Sequence, residues 1–118
     1  MKSWSRSVAV AALALGTVLV AAPGAWADEK AKQLLERNGC LMCHSLLGKG
    51  GKMGPPLQSI PAWADAARIA AYIKDPKAVN EKSIMRPSRL TDAEIQTITD
   101  YIMTFKDTAQ APKGWKGD

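Results

Sequence analysis

Both cysteines and the only histidine of the chain stand in one pentapeptide, Cys40-Leu41-Met42-Cys43-His44. A structural zinc site takes four ligands, usually Cys or His. Three donors within five residues would need a second chain or added carboxylates to complete one. A thioredoxin-like dithiol stands at the start of a helix after a strand, inside a βαβ pattern, and no such strand pattern surrounds residues 40–44. A structural disulfide across two intervening residues closes a very small loop and gains little. C-x-x-C-H is, by contrast, the attachment signature of c-type haem. Residues i, i+3 and i+4 share one face of a helical turn, so Cys40 and Cys43 can each form a thioether to a vinyl group. His44 then lies under the ring with an imidazole nitrogen on the iron. Haem uses all three side chains; the dithiol and zinc readings stay open as lesser alternatives.

The chain has 118 residues, room for one small domain, and its start does not look like part of that domain. Lys2 and Arg6 precede an apolar run from Val8 to Ala22, then Pro23 and Gly24, then the small-x-small sequence Ala25-Trp26-Ala27 before the polar Asp28. This order of regions predicts a cleaved secretory signal over residues 1–27. The rival is an uncleaved anchor, but the run is shorter than the ~20 apolar residues of a spanning helix. The expected domain is residues 28–106, followed by a polar tail, 107–118, in a periplasmic or otherwise extracytoplasmic compartment. Losing Lys2 and Arg6 lowers the formal charge from +5 to about +3. No polybasic block points to nucleic acid.

Three amphipathic segments and long loops follow. Residues 28–39 place Ala31, Leu34, Leu35 and Asn38 at helical spacing, with Gly39 as the stop. Residues 46–57 hold four glycines and two prolines and read as loop. The second segment is expected to be helical from Pro61 and to end before Pro76, with Ala62, Ala66, Ile69 and Ile73 as its stripe. The last opens on Thr91 and Glu94, a capping box, and buries Ile95, Ile98, Ile102 and Phe105. No convincing strand stands out. Such a chain, poor in aromatics, has little with which to close a core, and its glycine-rich loops make sense if wrapped round a large apolar ligand.

If His44 holds one side of the iron, no second histidine remains for the other. A thioether sulfur is a known haem ligand, and the methionines are Met1, Met42, Met53, Met85 and Met103. Met1 leaves with the signal. Met42 and Met53 are too close to His44 in sequence to reach the opposite face. Met103 lies inside the last helix, where core filling is the simpler role. Met85 stands in an irregular segment with enough chain before it to pass round the ring.

At this point the chain resembles the class I c-type cytochromes, over nearly all of residues 29–105. The stretch Ala71 to Met85, "AYIKDPKAVNEKSIM", is similar to the family's pattern of tyrosine, asparagine or aspartate, proline, threonine or serine, and methionine. The resemblance implies an all-α fold, with three main helices and Gly/Pro-rich loops round one covalent haem. It puts Met85 in the role of sixth ligand, Tyr72 as the hydroxyl donor to the methionine sulfur, and Ser83 facing a haem propionate. In "MGPPL" it implies that the Pro55 carbonyl accepts a bond from the free nitrogen of His44. It sets Ile98 and Tyr101 where the last helix crosses the first, near Ala31 and Leu35. Trp63 is either a propionate contact or a packing residue. Arg86 is a departure, because many bacterial members have proline directly after the methionine.

Six-coordinate iron with no free position favours single-electron transfer over catalysis. The expected function is an exported monohaem electron carrier, not an enzyme. Lys49, Lys52, Lys74, Lys77, Lys82, Arg86 and Arg89 would steer redox partners with acidic surfaces. Two other functions are open. One is a haem sensor or peroxidase-like enzyme with a labile sixth ligand. The other is a small cytochrome subunit of a membrane oxidoreductase, with the tail and Trp115 as its contact.

Overall fold

The computed structural model describes residues 13–20 and 22–116. Lys2, Arg6 and the first part of the expected export signal lie outside the described residues, as do the last two residues of the tail.

Helix α1 spans Pro23–Arg37, with proline at its first turn. It starts before Asp28 and runs through the expected cleavage point. Residues 23–27 are nevertheless exposed, and Trp26 is 70% exposed. The helix is stopped at Gly39, which adopts φ +71°, a conformation that costs a residue with a Cβ about 1–2 kcal/mol. Asn38, expected on the buried stripe, instead caps the end: its side-chain amide donates to the Leu34 carbonyl at 2.8 Å. The packing face is Ala31, Leu34 and Leu35, all buried.

The chain then forms a 3-10 turn, Cys40–Met42. A two-residue antiparallel ladder follows, β1 (Ser45–Leu46) against β2 (Lys49–Gly50). This hairpin was not legible, because its glycines read as loop. Its tip, Leu47-Gly48, has positive φ at both residues (+50° and +84°), as a tight two-residue hairpin turn requires. The Leu47 N–H donates to Gln58 Oε1 at 3.1 Å.

The segment expected to be one helix from Pro61 is two elements. Leu57–Ala62 is a 3-10 helix with Pro61 inside it. The chain turns at Trp63, and α2 runs over Ala66–Lys74. Asp65 is the cap that sets this start, accepting a bond from the Arg68 N–H at 2.8 Å. Ala62 therefore leaves the expected stripe and is exposed, while Ile69 is buried and Ile73 half-buried. The short helix α3, Pro76–Val79, follows after Asp75.

Helix α4 spans Asp92–Met103 and carries the expected capping box in full. The Glu94 N–H donates to Thr91 Oγ1 at 3.2 Å, and the Thr91 N–H donates to Glu94 Oε2 at 2.9 Å. Ile95, Ile98 and Ile102 are buried; Phe105, past the helix end, is half-buried with its ring edge-on to Tyr101 at 5.4 Å. The α1 and α4 faces meet in one cluster of Ala31, Leu34, Leu35, Ile98, Tyr101 and Ile102. Ala31 is fully buried at the crossing, and a residue that small lets two helix backbones approach closely. Each buried leucine or isoleucine contributes about 1.5–3 kcal/mol.

Because Thr91 and Glu94 satisfy two N–H groups of α4, Thr91→Ala is expected to lose about 1 kcal/mol. For a domain this size that lowers the melting temperature by about 4–8 °C, readable in a thermal melt of the haem-loaded protein. The bond from the Thr91 N–H is the main reason the Glu94 carboxyl sits below its ordinary range. A depressed folded-state value means the contribution is complete above the ordinary carboxylate range and fades as pH falls through the folded value. Thr91→Ala keeps that backbone N–H, so the pH dependence is read from Glu94→Ala, whose difference from wild type should shrink in acid. A melt unchanged by Thr91→Ala would remove the cap from the account of α4.

Candidate haem site

The 3-10 turn and its flanking residues hold the three side chains of the pentapeptide. The His44 N–H and the Cys43 N–H both donate to the Cys40 carbonyl, at 3.0 and 3.3 Å. That curls Cys40, Cys43 and His44 into one turn. Cys40 is half-buried, Cys43 is exposed, and both are unbridged. Among the described residues, no three His, Cys, Asp or Glu side chains converge to hold a metal ion, so these residues do not close on a common zinc. Burial pushes the Cys40 thiol above its ordinary value. Reactive dithiols need the opposite, a lowered thiol pKa.

His44 is fixed from two sides. Its Nδ1 lies 2.8 Å from the Pro55 carbonyl oxygen. A carbonyl only accepts, so Nδ1 carries the proton and donates. In the neutral imidazole Nε2 is then the nitrogen without a proton, its lone pair available to a metal; a hydrogen bond of this kind orients a ligating imidazole and raises its basicity. The second constraint is Gly54, whose N–H donates to the Cys43 carbonyl at 2.7 Å. A Cβ on Gly54 would stand 2.5 Å from His44 Cε1 and 2.7 Å from Nδ1. The backbone at Gly54 is thus a flat wall against the imidazole. Gly50 and Gly51 do similar service beneath the turn: a Cβ at either would fall within 2.4 Å of the His44 or Met42 carbonyl oxygen. Close approach of the backbone requires glycine at these three positions, and none of them stands out in the sequence by itself. The density of glycine in residues 48–54 was the available signal.

The segment carrying Met85 is built from α2. It leaves at Asp75, passes through α3, and returns where the Ser88 N–H donates to the Ile73 carbonyl at 3.2 Å. Within it the Met85 N–H donates to Ser83 Oγ at 3.2 Å, and Ser83 is buried. Met85 is half-buried; Ile84 beside it is 79% exposed. Tyr72 is half-buried on α2, and among the described residues it makes no hydrogen bond to Met85. Met42 and Met53 are exposed, and Met103 is half-buried against the helical core. Trp63 packs against that core and stacks on Trp115, with ring centroids 5.1 Å apart.

A concavity of about 600 Å³, lined by Arg68, Val79, Asn80, Glu81 and Lys82, has neither His44 nor Met85 in its wall. Three of those five side chains are charged, which does not suit an apolar macrocycle. The cations expected at the docking surface are all exposed. Lys74 differs from the rest, because its ammonium is paired with Asp92 at 2.8 Å.

An all-α chain that curls two thiols and an oriented imidazole into one turn, with a glycine wall against the ring, is a covalent haem carrier by construction. The family model for cytochrome c matches residues 29–106, and the chain belongs to the cytochrome c family. No curated protein matches it significantly. Membership makes it a haem-binding electron-transfer protein that carries a covalently bound haem c with its iron. The residues present fit that group: Cys40 and Cys43 stand at thioether spacing, and His44 offers a single unprotonated nitrogen.

Proposed function

We propose that the protein is exported by residues 1–27, which are removed, and that residues 28–106 work outside the cytoplasm as a single-electron carrier with His44 and Met85 on the two faces of its haem. The observation that carries this reading is the bond from His44 Nδ1 to the Pro55 carbonyl, which commits the imidazole to one tautomer and one direction. The haem supplies the one-electron chemistry. The chain's own residues hold the imidazole proton on Nδ1, keep the ring from turning, and shape the surface through which an electron leaves. Tyr72 would add a hydrogen bond to the Met85 thioether, and Ser83 would tie the backbone just before it.

Several features support the location and the docking mode. Members of the family are commonly extracytoplasmic. No helix among the described residues is long and apolar enough to cross a membrane. Lys49, Lys52, Lys77, Lys82 and Arg86 are exposed cations that suit an acidic redox partner, with Lys74 partly neutralised by Asp92. These five cations, without an ion-pair partner among the described residues and close in sequence to Cys43, His44 or Met85, would act mainly on the association rate and its salt dependence.

Carbon monoxide tests the carrier reading directly. The ferrous wild-type protein is expected to resist it at neutral pH, and the ferric protein to show the weak near-infrared band of iron–methionine ligation. Mass spectrometry of exported material should give residues 28–118 plus one haem that acidic organic solvent does not extract. Ready uptake of carbon monoxide by wild type would favour the sensor or peroxidase-like function, in which the sixth ligand is labile.

A further inference from the structure

The tail beyond residue 106 lies outside the family-matched segment, has a polar sequence, and yet is not loose. Its chain turns where the Trp115 N–H donates to the Pro112 carbonyl at 2.9 Å, with Gly114 at φ +85°. That turn lays the Trp115 ring against Trp63, with centroids 5.1 Å apart and planes tilted by 39°. Lys113, Gly114, Trp115 and Lys116 are all exposed, Trp115 to 38%. Trp115 is nevertheless the least exposed of the exposed large apolar side chains among the described residues, and the ring it meets is Trp63. Trp63 is a consequential place to hold. It is the corner between the 3-10 helix and α2; its N–H and that of Ala64 both donate to the Ile60 carbonyl, at 3.1 and 3.0 Å. At the other end of α2, the Ser88-to-Ile73 bond closes the segment that bears Met85.

We propose that residues 107–116 are an intramolecular clasp, with Trp115 as its latch on Trp63, which fixes the corner from which α2 holds the Met85 segment in place. Trp115 is a positioning residue: it acts through Trp63 and α2 and touches no ligand of the iron. The link to Met85 rests on the ligation proposed above; the clasp itself does not.

The test uses the mature haem-loaded protein, in which Trp63 and Trp115 are the only tryptophans once residues 1–27 are gone. Two indoles this close couple their electronic transitions. Circular dichroism of wild type minus Trp115→Phe should therefore show an exciton couplet, and its absence would overturn the clasp. Trp115→Ala, and a chain ended after Lys106, should raise amide hydrogen exchange across residues 66–74 by roughly two- to tenfold. Trp115→Phe, which keeps an aromatic ring, should fall between these and wild type. A couplet present in wild type with unchanged exchange in Trp115→Ala would make the tail a passive passenger and sink the proposal. The rate of carbon monoxide uptake by ferrous protein should rise in Trp115→Ala alongside exchange. Faster exchange without faster uptake would break the link from α2 to Met85. If wild type already takes up carbon monoxide freely, the Met85 ligation fails, while the couplet and the exchange rates still decide the clasp.

Discussion

The Gly54→Ala protein is expected to be exported with most of its haem missing or wrongly held. The added Cβ would stand 2.5 Å from His44 Cε1 and 3.0 Å from Nε2, distances at which one of the two must move. The glycine cannot retreat without breaking its 2.7 Å bond to the Cys43 carbonyl. The imidazole cannot turn without losing the 2.8 Å bond to Pro55. Either movement misdirects Nε2 from the position a haem linked at Cys40 and Cys43 would require. Crowding a packed site costs about 1–3 kcal/mol, and loss of the group that orients a ligating histidine lowers metal affinity about 10–100-fold. The ratio of haem absorbance to protein mass in purified material measures the effect. Gly48→Ala is the control, because nothing lies within 4 Å of a Cβ there and only the backbone at φ +84° is strained. It should lose some stability and keep its haem. A Gly54→Ala protein with wild-type haem content and spectrum would mean that His44 is not held by this wall.

The second large effect is expected at Met85. If its sulfur is the far-side ligand, Met85→Ala should bind carbon monoxide stoichiometrically in the ferrous form where wild type binds none. The near-infrared band should vanish. The reduction potential should fall, because a thioether favours ferrous over ferric iron. The other methionines provide the contrast. Met53 is 72% exposed, and Met103 is packed against the helical core. Met53→Ala should leave both spectrum and potential nearly unchanged. Met103→Ala should cost stability, about 2–5 kcal/mol for a fully buried methionine and less for this half-buried one, with little change in spectrum. A Met85→Ala spectrum identical to wild type would end the His/Met assignment. Arg86, which follows directly where proline is common in the family, makes this the most informative of the substitutions.

What the sequence disclosed and what it hid divide along physical lines. Cys40, Cys43 and His44 could be read because covalent attachment fixes their spacing, so the chemistry is written in consecutive residues. Helix α4 could be read because a capping box and an isoleucine stripe agree about where it starts and which way it faces. The α2 start was misplaced by four or five residues because Pro61 is as content in a 3-10 helix as in the first turn of an α-helix. The aspartate that sets the true start, Asp65, lay inside the expected helix. The hairpin at residues 45–50 was hidden because its two-residue strands are too short to alternate. Gly54 could not be singled out from its neighbours, since its importance is a distance to a ring ten residues earlier. The Trp63–Trp115 stack joins residues 52 positions apart in the chain and has no local signature at all.

One consequence of the His44–Pro55 bond concerns the unfolded chain. Pro55 is followed by Pro56, which sits at φ −57°, ψ 131°. Each ring fixes its own φ, and Pro55, standing before a proline, is kept in the extended region. The peptide that presents the accepting carbonyl therefore has few conformations to give up when the imidazole arrives. The orientation of the ligand is in part already present before folding, in the stiffness of two adjacent prolines. A residue there with ordinary freedom would leave the same bond in place and make it weaker by the entropy of arranging it.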